Sequence, residues 1–498
     1  VTKIIFTLLT LLFTTSLSFA AEANPIAELE KRVMEHTLKN GLKIIVLERP
    51  KFPLVSFEMM FKVGGVDETL GKTGLAHLFE HMAFKGSEKI GTKDFEKEKP
   101  ILEAIEKIAQ EIAAEEIKEN SADPKKLEQL KLKLAALEVE HQQWMNPEEL
   151  DEIYSRHGAE GLNAFTGKDM TGFVVSLPSN KWELYFAMES DRMQNPVLRE
   201  FYKERDVVME ERRMRYENSP SGLLWENLMS SAFSAHPYSF PTIGWSSDIE
   251  KLSIKDAQDF FKSHYIPNQA TVVIVGDVQT KKILDSFEKY FAQIPSQKVP
   301  SQLKTEEPNQ IGEKRVALEF DAEPSFLMGF HKPNPPHPDN FTLEMIEQLL
   351  SRGRTARFYK NIVEKKLALN VYASNGNPGE RYPNLIVLGG SPRKPHTNEE
   401  VEKAIWKELQ NLQNEKVSEK ELEKIRNQIE ADTIRNLSSN SGMASLLSYY
   451  ATVVGDWRYL FQYLEGIERV TPEQIQEGAK KYFTRKNVTI VTLDRGAP

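Results

Sequence analysis

The sequence predicts an α+β protein made of two homologous domains, and three observations carry that reading. Residues 250–275 align without a gap on residues 468–493, with identities at Glu250/Glu468, Gln258/Gln476, Lys262/Lys480, Thr271/Thr489 and Val273/Val491. Each copy reads as a helical-period segment followed by a β-rich run, so both halves end on the same helix–strand unit. Between the copies, residues 295–313 hold Pro295, Pro300 and Pro308 among Ser, Gln, Lys and Glu, the composition of a linker. It separates an N-terminal domain, residues 30–294, from a C-terminal domain, residues 314–498.

The elements follow in order. Residues 1–20 read as a secretory signal, with Lys3, an apolar run over residues 4–13, and Ser18, Phe19 and Ala20 at the cleavage positions. The apolar run is too short for a confident span, so no membrane span is expected in the mature chain. Val1 in place of Met suggests an alternative start codon, a bacterial habit, and the expected location is the periplasm. With 0 Cys the chain has no disulfide, which a large core tolerates. A net charge of −9 without an extended basic run argues against a nucleic-acid partner.

Asn40-Gly41 between two β-rich runs signals a hairpin over residues 37–47, and residues 55–63 form a further strand. In residues 97–150, Ile101, Ile105, Ile108 and Ile112 repeat at helical spacing, as do Leu127, Leu130, Leu134 and Leu137. Residues 120–124 break the run at Pro124, so this stretch predicts an inserted helical hairpin, a solvated arm or else a substrate gate or partner contact. Residues 184–195 and 201–216 read as helices. Residues 220–241 read as an aromatic, loop-rich wall, and residues 270–277 as a buried strand.

The chemistry sits in residues 71–84, where His77, Glu80 and His81 spell H-x-x-E-H. On a helix, His77 and His81 are one turn apart and project from one face, a spacing that grips one Zn²⁺. Glu80 lies on the same side, placed for general-base work on a water whose pKa the metal lowers to about 7. Gly71, Thr73 and Gly74 suit a turn into the helix, and Leu75, Leu78, Phe79 and Met82 give it an apolar face.

This stretch resembles the active-site helix of the pitrilysin/insulinase family of inverzincins, which includes the mitochondrial processing peptidases. The resemblance covers nearly the whole mature chain. It implies paired domains, each a mainly antiparallel sheet with helices on one side. It also implies a third zinc ligand, a Glu preceded seven residues earlier by a second Glu. Glu204 and Glu211 have that separation and share a helix face, whereas Glu210 is rotated away. Glu211 is therefore the expected ligand and Glu204 the carboxylate that orients it or a neighbour. The segment Gly161-Leu162-Asn163-Ala164-Phe165-Thr166 resembles a strand beside the metal, with Asn163 a candidate contact to the substrate backbone or a plain strand-edge turn residue.

The C-terminal half has no H-x-x-E-H. In active relatives that half often carries an Arg and a Tyr that contact the substrate carbonyl. Here Val363 and Leu369 stand at those positions, with a one-residue gap between the segments. The expectation is a zinc endopeptidase for peptides or unfolded segments, paired as a homodimer or with a related subunit that supplies Arg and Tyr. Arg352, Arg354 and Arg357 are the alternative donors within the chain. The rival expectation is a non-catalytic binding or assembly subunit.

Overall fold

The computed structural model describes residues 25–496, with side chains from Leu29 onward; the secretory-signal stretch lies outside them. The first half builds one sheet from β1 (Met34–Thr37), β2 (Lys43–Glu48), β3 (Leu54–Phe61), β4 (Glu160–Thr166), β5 (Thr171–Pro178) and β6 (Ala270–Gly276). Their order is β1-β2-β6-β3-β5-β4. Only β2 and β6 run parallel.

The second half builds a sheet from β7 (Lys314–Phe320), β8 (Ser325–Lys332), β9 (Ala368–Asn377), β10 (Asn384–Pro392) and β11 (Val488–Arg495), in the order β7-β11-β8-β10-β9. Here only β7 and β11 run parallel. The topology of the first sheet is thus repeated without β1. The sequence repeat falls on it: helix Ile254–His264 and β6 match helix Pro472–Tyr482 and β11. The Asn40-Gly41 turn joins β1 to β2 as an antiparallel pair.

Strands such as β2 and β6 are apolar at successive positions because both faces are covered. Ile44, Val46, Val272 and Ile274 enter the core shared with the helices of the first half, while Ile45, Leu47, Val273 and Val275 face the other way. That second face receives helix Asn440–Tyr449, which comes from the second half and packs on β3 and β6. The exchange is mutual, since helix Pro220–Ala232 of the first half packs on β7, β8 and β11. Leu224, Leu228 and Met229 are buried there, each worth about 1.5–3 kcal/mol on transfer from water. A polar pin joins the halves as well: buried Glu58 on β3 accepts from Ser445 Oγ at 2.6 Å and Ser448 Oγ at 2.7 Å.

Helix Pro220–Ala232 corrects the loop expected over its length. Ser219 accepts from Gly222 N and Pro220 occupies the first turn, both helix-start signals outweighed by the eye-catching aromatics. Phe233 and Tyr238 belong to the core between the halves and do not line a cleft.

The inserted hairpin has arms Phe95–Glu116 and Pro124–Gln142, about 30 Å long and packed on each other. Its base is tied to the rest of the fold by fully buried Arg199. The Arg199 guanidinium donates to both Glu98 oxygens at 2.7 and 3.0 Å, and to the carbonyls of Lys85 and Ser87 at 2.9 and 2.7 Å. His141 of the second arm meets Glu98 Oε1 at 2.7 Å. Among the described residues no helix is long and apolar enough to cross a membrane.

Candidate metal centre

The motif helix, Leu75–Met82, begins at Gly74, whose φ of +93° lies in the left-handed region. A Cβ there would meet the Ile243 carbonyl oxygen at 2.5 Å, so glycine is required. The first turn is capped from upstream. Buried Glu68 accepts from Gly74 N at 2.8 Å and from Ala76 N at 2.7 Å. Burial pushes its carboxyl up to about 8, against those two bonds and the Lys168 charge.

The helix places His77 and His81 with ring centroids 4.9 Å apart and planes at 70°. A second helix, Phe201–Arg212, brings Glu211 to them: its Oε2 lies 3.7 Å from His77 Nε2 and 3.4 Å from His81 Nε2. One donor atom from each of the three falls within 4.8 Å of the others. Two imidazole nitrogens and one carboxylate oxygen form a three-ligand set of the kind catalytic zinc uses, leaving a fourth position open. Burial pulls His77 down to about 4, so it is neutral and free to donate a lone pair. His81 moves the other way, to about 9: burial opposes the shift, and hydrogen bonds to Glu204 and Glu211 outweigh it. Without a cation, His81 carries a proton between two carboxylates. A cation at Nε2 displaces that proton, so metal uptake and proton release are coupled.

Glu204 accepts from His81 Nδ1 at 2.9 Å and pairs with Lys85 Nζ at 2.7 Å. The His81 bond, chiefly, holds its carboxyl at about 2. A carboxylate on the outer ring nitrogen fixes the ring and directs Nε2 inward. Glu211 Oε1 meets Arg215 Nη1 at 3.0 Å, one turn along. Glu210 is exposed and paired with Arg213, turned away from the cluster as its helical register requires. The helix expected over residues 201–216 keeps its regular form to Arg212 and then widens into a π turn, Arg213–Glu217.

Glu80 is half-buried on the same helix. Burial pushes its pKa up and the Glu211 charge adds to this, while the Thr166 hydroxyl and His81 pull it down. Thr166 ends β4, an edge strand of the sheet, and Asn163 sits exposed in the same strand, opposite Val174 of β5. Glu68, Lys85 and Arg215 went unread in the sequence, and Thr166 was named there only as the end of the strand beside the metal. Only Arg215 left a local signal, its i, i+4 spacing from Glu211.

Val363 packs against the core of the second half, and Leu369 is 53 % exposed on β9. Arg352 is held by Asp432, and Arg357 Nη2 lies 3.1 Å from Glu421 Oε1; Arg354 is exposed.

The duplicated fold and this donor set define a zinc-metallopeptidase-like protein. The chain belongs to the pitrilysin/insulinase family: residues 43–122 and 139–245 match Insulinase (Peptidase family M16), and residues 251–429 match the Peptidase M16 inactive domain. It is 26 % identical over 466 residues to zinc protease PqqE of Helicobacter pylori, covering 92 % of this chain and 91 % of that one. It is 19 % identical over 472 residues to a probable mitochondrial-processing peptidase subunit beta of Arabidopsis thaliana, covering 92 % of this chain and 77 % of the relative. The crystal structure of a protease from Helicobacter pylori superposes with a TM-score of 0.77 at 25 % identity, over 93 % of this chain and 99 % of that chain.

Proposed function

We propose that this chain is a zinc-dependent endopeptidase hydrolysing peptides or unfolded protein segments. The observation that carries the reading is the convergence of His77, His81 and Glu211 with Glu80 on the same helix face. His77 Nε2, His81 Nε2 and one Glu211 oxygen would hold one Zn²⁺ per chain. When bound, the ion supplies a Lewis acid that polarises the scissile carbonyl and acidifies water. Glu80 takes the proton from the attacking water and returns it to the leaving amine nitrogen. Its raised pKa suits a group that must both accept and release a proton. Glu204 holds the His81 ring in place, and Asn163 contacts the substrate backbone. As an edge strand, β4 leaves one row of backbone N–H and C=O groups for an extended peptide to pair with.

Val363 and Leu369 leave the second half without a carbonyl-stabilising Arg and Tyr at the expected positions. A related subunit that carries Arg and Tyr at the matching positions completes the site. The pattern of residues 1–20 supports export to the periplasm. The test combines zinc stoichiometry with hydrolysis of a quenched peptide by the chain and by Glu80→Gln, with and without chelator. The expected result is one zinc in both forms, hydrolysis lost to chelator, and a loss of at least ~10² in Glu80→Gln. Zinc-loaded protein that cleaves nothing, alone or with a related subunit, would favour the non-catalytic assembly role. Full turnover in Glu80→Gln would remove Glu80 from the mechanism.

A further inference from the structure

The helix that follows β8, Asp339–Ser351, occupies in the second half the place the motif helix occupies after β3. It packs on helix Glu419–Ser438 as the motif helix packs on Phe201–Arg212. Both of those partner helices lead into a serine-capped helix, at Ser219 and at Ser439. Glu344, Glu347 and Gln348 then repeat the i, i+3, i+4 spacing of His77, Glu80 and His81. Here the second half has a cavity of about 270 Å³.

Its walls are aromatic and acidic. Tyr449, Tyr450, Tyr459, Phe341 and Tyr463 form a continuous run of rings, with successive centroids 5.7, 5.4, 6.2 and 6.5 Å apart. Glu344 faces the cavity and, among the described residues, accepts only from neutral amides, Gln348 Nε2 at 3.2 Å and Asn375 Nδ2 at 3.1 Å. Glu380 also lines it, bonded to the Tyr449 hydroxyl. Lys332, whose charge reaches these groups, donates its Nζ to Asn340 Oδ1 at 2.5 Å and to the Pro333 carbonyl at 3.2 Å. Glu347 is pushed up to about 9, by burial first and then by the Glu344 charge, with Arg352 and Lys332 pulling the other way; Arg352 itself is paired with Asp432, which also lines the cavity. Tyr459 is a separate pointer to a ligand. It is 3 % exposed, it lines the cavity, and its hydroxyl has no hydrogen-bond partner among the described residues.

We propose that this cavity binds an organic cation, a primary ammonium or guanidinium carried on an aliphatic stem. The ring faces attract the cationic head and take the apolar stem, and Glu344 and Glu380 supply charge-assisted acceptors. The volume is below the roughly 300–1,000 Å³ of sites for drug-sized ligands, and it suits one side-chain-sized group. A bare metal ion fits less well. Among the described residues only His77, His81 and Glu211 converge as metal donors, and these carboxylates do not.

Isothermal titration calorimetry on the full chain tests this with agmatine, cadaverine and an end-blocked tripeptide centred on Arg. Pentanamide and Ca²⁺ serve as uncharged and inorganic controls. The cations should bind saturably and the controls should not. Glu344→Gln should weaken binding by at least about tenfold, the scale of one charge-assisted hydrogen bond. Tyr463→Leu, which removes a ring and no charge, should weaken it less and serves if Glu344→Gln melts early by circular dichroism. Tightest binding of the tripeptide assigns the cation to a peptide side chain; tightest binding of agmatine or cadaverine assigns it to a free amine. No cation binding tighter than about 10 mM would overturn the proposal. So would equal binding of pentanamide or Ca²⁺, or affinities unmoved by both substitutions. Neither zinc content nor peptide hydrolysis enters the readout.

Discussion

The two halves share a strand order and a helix-on-helix arrangement, yet the matched helices carry different chemistry. After β3 the helix carries His77, Glu80 and His81, with both rings beside Glu211 of helix Phe201–Arg212; after β8 it carries Glu344, Glu347 and Gln348, with Glu344 and Gln348 lining the cavity of tyrosine rings. The scaffold treats the middle position alike, since burial raises both Glu80 and Glu347. What separates the halves is the pair flanking it. Two imidazoles with Glu211 make a borderline-soft, convergent donor set, whereas an acid and an amide do not. A duplicated fold thus fixes where a site can be, and a few side chains on one helix turn decide what it binds.

That contrast can be broken on the first half. Glu211→Gln should strip zinc from the purified protein, because a neutral amide is a far poorer ligand than a carboxylate. Glu210→Gln, one residue away and paired to Arg213, should leave the metal content unchanged. Metal analysis decides it, and zinc lost from the second variant instead of the first would reverse the assignment.

A related subunit with Arg and Tyr at the positions of Val363 and Leu369 should raise kcat by about 10²–10³, the usual worth of one oxyanion donor. The assay runs on unstructured peptides with self-association monitored. High activity of the chain alone, abolished by changing Arg354, would place the donor within this chain. The smallest expected effect concerns Glu204. Glu204→Gln weakens the hold on the His81 ring and should lower zinc affinity about 10–100-fold while leaving one zinc at saturation. A competition titration with a chelating dye measures it, and an unchanged affinity would reduce Glu204 to a partner of Lys85.

Much of this was legible in the sequence because it is local or repeated. Glu250–Val275 and its copy announce the duplication since each carries a whole helix–strand unit, and Asn40-Gly41 marks its turn by backbone preference alone. His77, Glu80 and His81 are readable because one helix turn brings them together. Glu68 was not, because a carboxylate capping a helix that starts six residues later leaves no periodic trace and acts through burial. The helix Pro220–Ala232 was misread because its apolar face serves the other half's sheet, and its own neighbourhood reads as an aromatic loop. The tyrosine cavity was invisible for a related reason. Its walls come from four separate helical segments, the end of β9 and the loop beyond it, and no single stretch shows that these faces meet.

The exchanged helices bear on time as well as stability. The back of the first sheet is covered by Asn440–Tyr449, which follows the end of β6 by about 160 residues. At ~5–20 residues per second, that cover arrives roughly 8–32 seconds after the last strand of the sheet has been made. Until then Ile45, Leu47, Val273 and Val275 have only Leu29 and Val33 of their own half packed with them, and the newborn first half presents much of an apolar sheet face to its surroundings. A chain cut within residues 295–313 should need both pieces present at once, each serving as the other's missing wall.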